Sequence, residues 1–198
     1  MLTVQSHIQD MPVSSPDAIL KGFNDRAKAA GWAFTCGLAQ DFEYAELTAA
    51  HAVWREKAGV RPMPSRAEMT ARAMKSWLTH MSLLERVEVD DIRRYRIRLH
   101  GSALARYAGD STGKFLEDAV SSQRLDSYNA LYDAVLELRR PVRVVSFYQA
   151  PEIDYLMGES LLAPLSIPGS ETPILLSVTY AKPRPEFTRA SLQHSSLG

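Results

Sequence analysis

From Arg94 to His100 basic and apolar residues alternate one for one: Tyr95, Ile97 and Leu99 are separated by Arg94, Arg96, Arg98 and His100. Successive side chains of a strand point to opposite faces, so this pattern predicts a strand with its apolar set inward and its basic set outward. The run Leu83 to Val89 reads as the strand before it, with Asp90-Asp91 as the turn. Ser102 to Ala108 is short and helix-prone, and Gly109 and Gly113 suit turn positions of positive φ. Leu125, Tyr128, Tyr132, Val135 and Leu136 then fall at helical spacing, which predicts an amphipathic helix from about Ser122 to Arg140. Arg139 and Arg140 suit the negative end of its dipole, and Pro141 closes it. Three strands are expected after it, at about Val142 to Gln149, Tyr155 to Ile167 and Pro173 to Lys182. Their short turns require antiparallel neighbours, because parallel strands need a crossover of roughly a dozen residues. Pro164, lacking an N–H, demands a bulge, a break or an edge position in the middle one.

The first part of the chain reads as helical. Ser15-Pro16-Asp17 is a helix start, with a capping serine, proline at the first helical position and an acid in the first turn. That helix is expected to run to about Ala30 and to stop at Gly31, with Ile19, Leu20, Phe23 and Ala27 on one face. A second helix is expected from about Phe42 to Ala58, with Tyr44, Leu47, His51 and Trp54 along one side. The connector R-P-M-P-S-R (Arg61 to Arg66) is stiffened by proline, and a third helix is expected over Ala67 to Trp77 with Ser65 as its cap. The apolar faces of the first two helices must be buried, on their own core or on a second copy in a homodimer. The expected organisation is a helical extension over 1–43, a compact domain over 44–185 and a flexible tail over 186–198.

Composition narrows the function. At 198 residues and 45% hydrophobic the chain can bury a substantial core. Lys+Arg and Asp+Glu are both 23, and this zero net charge argues against a general nucleic-acid binder. The single cysteine, Cys36, excludes an intrachain disulfide and a four-thiolate metal site. The first ten residues lack the basic start and apolar run of a signal peptide, and no apolar stretch approaches the ~20 residues of a membrane helix. A cytoplasmic protein without a membrane segment is the expectation.

Several stretches, weak singly, are specific in their order and spacing. They are Trp54-Arg55, R-P-M-P-S-R, R-I-R-L-H-G-S (Arg96 to Ser102), G-D-S-T-G (Gly109 to Gly113) and G-E-S-L-L-A-P-L-S (Gly158 to Ser166). Through them, over about Leu47 to Tyr180, the chain resembles a family of small PAS-like proteins common in alphaproteobacteria. Ser102 stands where that family more often has Thr, and His100 where an aliphatic residue is usual. The resemblance implies an α+β fold: a five-stranded antiparallel sheet with helices on one face, preceded here by the N-terminal helical extension. It also implies a sensory or signalling role, with no catalytic residues to carry over.

The candidate chemistry is correspondingly sparse. His7, His51, His80, His100 and His194 include no i, i+4 pair and no H-E-x-x-H, so no metal site is expected. PAS domains that bind haem usually take a histidine from the long helix, which has none here, and flavin photosensors need a cysteine in the core, whereas Cys36 precedes it. Haem and a covalent flavin adduct are therefore disfavoured, and the cofactor is unknown. G-E-S-L-L lacks the second glycine of a nucleophile elbow, and no Walker-type loop or acid–base dyad stands out. Tyr107, Phe115, Tyr128, Tyr132 and Phe147 are candidates to surround a ligand pocket, since tyrosines supply apolar surface and a polar tip together. The competing reading is plain core. Arg94, Arg96 and Arg98 are a candidate patch for an anionic ligand or an acidic partner, against a solvated face balanced by Glu85 and Glu88. The expectation is a non-catalytic module that binds a small ligand or a regulatory protein and acts as a homodimer. The alternatives are a small enzyme using the same cavity, which a buried Glu159 or Asp154 of raised pKa would favour, and nucleic-acid binding through the arginines.

Overall fold

The computed structural model describes residues 15–148 and 154–184, with the side chains of 107 and 108 left aside. Its elements run α1 (Pro16–Ala29), β1 (Phe34–Leu38), α2 (Ala45–Ala58), β2 (Met81–Val89), β3 (Ile92–His100), α3 (Ser102–Ala108), α4 (Ser122–Leu138), β4 (Val142–Phe147), β5 (Leu156–Ile167) and β6 (Ser170–Pro183). The strands form one antiparallel sheet in the order β1-β4-β5-β6-β2-β3. The α+β class and the five expected strands are present, and the sheet gains a sixth strand from the N-terminal segment. β1 was hidden because Phe34–Leu38 is short and contains Gly37. Its place at the edge is secured by Asn24 of α1. That amide accepts from the Cys36 N–H at 2.9 Å and donates to the Cys36 carbonyl at 2.7 Å, as a neighbouring strand would.

Both faces of the sheet are covered. On one face α1 contributes Leu20, Phe23 and Ala27, and α4 contributes Leu131, Val135 and Leu136, over Leu84, Ile97, Val144, Leu162 and Leu175. On the other, α2 lays Leu47, Ala50, Trp54 and Ala58 over Leu83, Leu161, Ala163, Leu165 and Leu176. The apolar faces of α1 and α2 are thus taken up by the chain's own sheet. A strand buried on both faces reads as a continuous apolar run, and residues 158–165 of β5 are all buried.

The third helix expected over Ala67 to Trp77 does not form; the segment is a chain of turns. Arg66 Nη1 donates to the Met69 carbonyl at 2.9 Å, and the Thr70 hydroxyl accepts from the Ala73 N–H at 3.2 Å as a helix cap does, but the turn so begun is not continued as a helix. Met69, Met74 and Trp77 are buried with α2, which packs this segment against the sheet. Pro164 is accommodated at a local edge. β4 pairs with β5 only as far as Leu162, so the flank of Pro164 faces no strand. The connector takes over there: Ser166 N donates to the Pro64 carbonyl at 2.9 Å, and Arg66 N to the Ser166 carbonyl at 2.8 Å. The Trp54 indole N–H donates to the Pro164 carbonyl at 2.9 Å. Trp54, the proline connector and the end of the G-E-S-L-L-A-P-L-S segment are therefore one structural unit.

Glu159 holds the opposite end of that face. Its carboxylate is buried and accepts from the backbone N–H groups of Glu43 and Tyr44 and from Arg143 Nε of β4, at 2.5–3.1 Å. Tyr44 is the N-cap of α2 and makes no side-chain capping bond, so Glu159 acts as the cap from a distant strand. Replacing Glu159 by Ala is expected to lower the unfolding free energy by about 2–4 kcal/mol, because it strands Arg143 and uncaps α2. Glu159→Gln, which keeps an acceptor, loses less. Urea denaturation measures both, and a loss below about 0.5 kcal/mol for Glu159→Ala would contradict this role.

Candidate functional site: a hydroxyl-lined cavity beneath α4

Strand register writes a row of polar side chains across the first face of the sheet. Ser160 of β5 faces Thr179 of β6, Ser177 of β6 faces Ser82 of β2, and Ser82 faces His100 of β3. The hydroxyls meet: Ser160 to Thr179 at 2.8 Å, Ser177 to Thr179 at 3.4 Å, and Ser82 to the His100 ring nitrogen Nδ1 at 3.0 Å. Val144 and Leu162 flank the hydroxyls in the same rows, opposite Ser160 and Ser177, and the next row along the strands is apolar, with Leu175, Leu84 and Ile97. These rows floor a cavity of about 590 Å³, within the range of small-molecule sites.

His100 reaches this cavity through a β-bulge. Leu83 pairs with Leu99, but Leu84 pairs with Ile97, so Arg98 is an extra residue in β3. The alternation reverses there. Ile97 and His100 both line the cavity, while Leu99 joins the opposite face. The sequence expectation that His100 points outward with the arginines is therefore corrected: strict period two holds only as far as Ile97. Gly101 follows because the Thr79 carbonyl oxygen would lie 2.3 Å from a Cβ there.

The roof is α4. Tyr128, Leu131 and Tyr132 point down into the space, and Arg124, one turn before Tyr128, lines it as well. Arg124 Nη2 donates to the Tyr128 hydroxyl at 2.8 Å, and the Tyr128 ring meets Phe34 of β1 edge-on at 5.1 Å. The Tyr95 hydroxyl donates to Asp133 at 2.7 Å, which fastens the helix to β3. Burial pushes the Tyr128 and Tyr132 hydroxyls above the ordinary tyrosine pKa, so both stay neutral donors. At the near wall Gly158 leaves room for Tyr148: a Cβ at 158 would sit 2.9 Å from Ser146 Oγ and 3.4 Å from the Tyr148 ring.

Of the residues singled out in sequence, Tyr128 and Tyr132 line this cavity, and Phe115 and Phe147 do not. The side chain of Tyr107 lies outside the described residues. Phe115 is the platform for two arginines, with the Arg94 guanidinium 3.7 Å and that of Arg96 5.2 Å from its ring centre. Arg94 also pairs with Glu117, and Arg98 with Glu85 at 2.9 Å. The charge of the strand face is thus largely matched by its own acids, and none of the three arginines lines the cavity. Glu159 is directed to the α2 side of the sheet and its oxygens are occupied; Asp154 is exposed. Neither adjoins the cavity. Cys36 is buried in β1 away from it, with its thiol pushed up to about 12 by desolvation. Among the described residues no three His, Cys, Asp or Glu side chains gather as a metal site, and no helix is long and apolar enough to cross a membrane. His7 and His194 lie outside the described residues.

Burial lowers the His100 pKa below its ordinary 6.5, and Asp110 recovers part of the shift. The folded chain then takes up this proton less readily than the unfolded chain. The stability tied to the neutral ring is full above pH 6.5 and is lost as pH falls through the folded-state value. His51 and His80 are lowered in the same direction. The urea midpoint is expected to fall between about pH 7.5 and 5.5, and His100→Asn to make the fall shallower. Equal slopes in the two proteins would place the pH dependence elsewhere.

The comparisons with known proteins agree with this architecture. A family model described as PAS domain matches residues 43–179, more than half of the chain. No curated protein matches the chain. The match spans α2 through most of β6, and so includes the sheet floor, the bulge that turns in His100 and the α4 roof. The chain belongs to the PAS domain family.

Proposed function

We propose that this protein is a non-catalytic PAS sensory module that holds a small molecule beneath α4 and passes its state to another protein. PAS domains are in general sensory and signalling modules, and family membership supports that level of the reading. The finer reading is carried by one observation. The cavity of about 590 Å³ is lined by apolar side chains together with a cluster of hydroxyls, which is the composition of a small-molecule site rather than of a filled core. A core that merely packed would not be expected to place Ser82, Ser160, Ser177 and Thr179 side by side along a cavity wall. The relay would run through the elements that bound the cavity. α4 is tied to β3 by Tyr95 and Asp133, so a ligand that shifts α4 loads that bond directly. Self-association is part of the proposal. With the apolar faces of α1 and α2 on the sheet, it would use other surfaces, such as the exposed Phe147 and Tyr155.

Native mass spectrometry of gently purified full-length protein tests this. A mass lost on denaturation, and missing in a cavity-filling Leu162→Trp variant, is the expected result. A bare protein mass for both would overturn ligand binding and leave a purely protein-interaction role; the same spectrum reads the oligomeric state.

A further inference from the structure

On the reading that the cavity beneath α4 is a ligand site, we propose that it takes an organic carboxylate, with the anionic head at the hydroxyl end and an apolar body toward Leu84 and Leu162. Among the described residues that line it, Arg124 and His100 are the basic side chains and none is Asp or Glu. Arg124 bonds the neutral hydroxyl of Tyr128 and meets no carboxylate among the described residues. Arg94, Arg98 and Arg143, by contrast, each have an acid within ion-pair distance. A half-buried guanidinium without a counter-charge, beside apolar walls, favours an anion, and its planar fork matches the two oxygens of a carboxylate. His100 Nε2 is buried and has no hydrogen-bond partner among the described residues, while Nδ1 is engaged with Ser82. In the tautomer whose Nδ1 accepts from Ser82, Nε2 carries the proton and offers the cavity a buried donor.

The topology puts Arg124 at one end of this space, while His100 lines it from β3 at the far edge of the sheet. α4 turns directly into β4 at Arg139–Pro141, so its last turn lies beside Val142 and its first turn beside the other end of β4. The edge-on contact of Tyr128 with Phe34, which pairs with Ser146, fixes that direction. Arg124 therefore stands at the end of the sheet that carries Ser146, Ser160 and Thr179. The positive end of the α4 dipole lies there too. One fixed cation and a row of neutral hydroxyls suit a single negative charge. A dianionic phosphate would leave half its charge unmatched in a partly apolar space. Leu84, Ile97, Leu131 and Leu162 line the rest, which suits an aliphatic or aromatic body.

Octanoate and 1-octanol share an apolar chain and differ in the charge of the head. Each is titrated into ¹⁵N-labelled full-length protein, and the amide shifts of cavity residues are followed. Octanoate is expected to bind about tenfold more tightly than the alcohol, and Arg124→Met to bring the two within about twofold. Equal affinities in the wild-type protein would overturn the carboxylate assignment and leave the cavity as a ligand site of other chemistry. No shift of cavity residues with either probe at millimolar concentration would overturn the assignment together with the reading it rests on. A tenfold preference that survives Arg124→Met would remove Arg124 from the anchor. The wild-type comparison decides the ligand class even if that variant does not fold.

Discussion

The constraint on which the rest of the structure depends is that β5 is buried on both faces. Its odd-numbered residues, Glu159, Leu161, Ala163 and Leu165, face α2, and its even-numbered residues Ser160 and Leu162 face the cavity. The two faces are filled differently. On the α2 side the polar groups of β5 have partners: Glu159 has Arg143 and two backbone N–H groups, the Pro164 carbonyl has Trp54, and Ser166 has the proline connector. Such a face is stiff, because removing any partner leaves a buried polar group without a bond. On the α4 side the sheet offers hydroxyls that bond one another, and a space remains above them.

This asymmetry leaves the α2 side of the domain bonded across its polar groups and the α4 side with a cavity. On the proposed reading a ligand would engage α4, which touches the sheet around the cavity and is anchored through Asp133, rather than the scaffold held by Glu159 and Trp54. The N-terminal segment belongs to the same assembly. β1 extends the sheet beyond β4 and supplies Phe34 to the cavity wall, and α1 packs beside α4. Residues that precede the family match thus complete the site, and their influence on α4 is direct.

Much of this fold was legible in the sequence because period is a physical consequence of backbone geometry. The alternation around Tyr95 and Ile97, the helical stripe from Leu125 to Leu136, and the turn glycines Gly109 and Gly113, which adopt φ of +75° and +83°, all report local structure. What stayed hidden depends on contacts distant in sequence. The bulge at Arg98 arises from how β2 pairs with β3, and it alone turns His100 inward. β1 exists because β4 and Asn24 receive it. The segment 67–77 is a chain of turns whose Met69, Met74 and Trp77 pack with α2, a contact distant from the local pattern that predicted a helix. The site was half visible. Tyr128 and Tyr132 follow from the stripe, while Arg124, one turn earlier on the same helix, lies outside its apolar pattern. The spacing Ser177-Val178-Thr179 did carry a signal, since two hydroxyls at period two between apolar residues mark one polar face of a buried strand.

The central claim is that the front of the sheet holds a real, polar-ended space for a small molecule. Electron density from crystals of the gently purified full-length protein tests it most directly. The account predicts non-protein density between α4 and the sheet, touching Arg124 and the Ser160–Thr179–Ser177 row. Side chains of α4 packed down onto Ser177 and Thr179, with no space left between them, would contradict it.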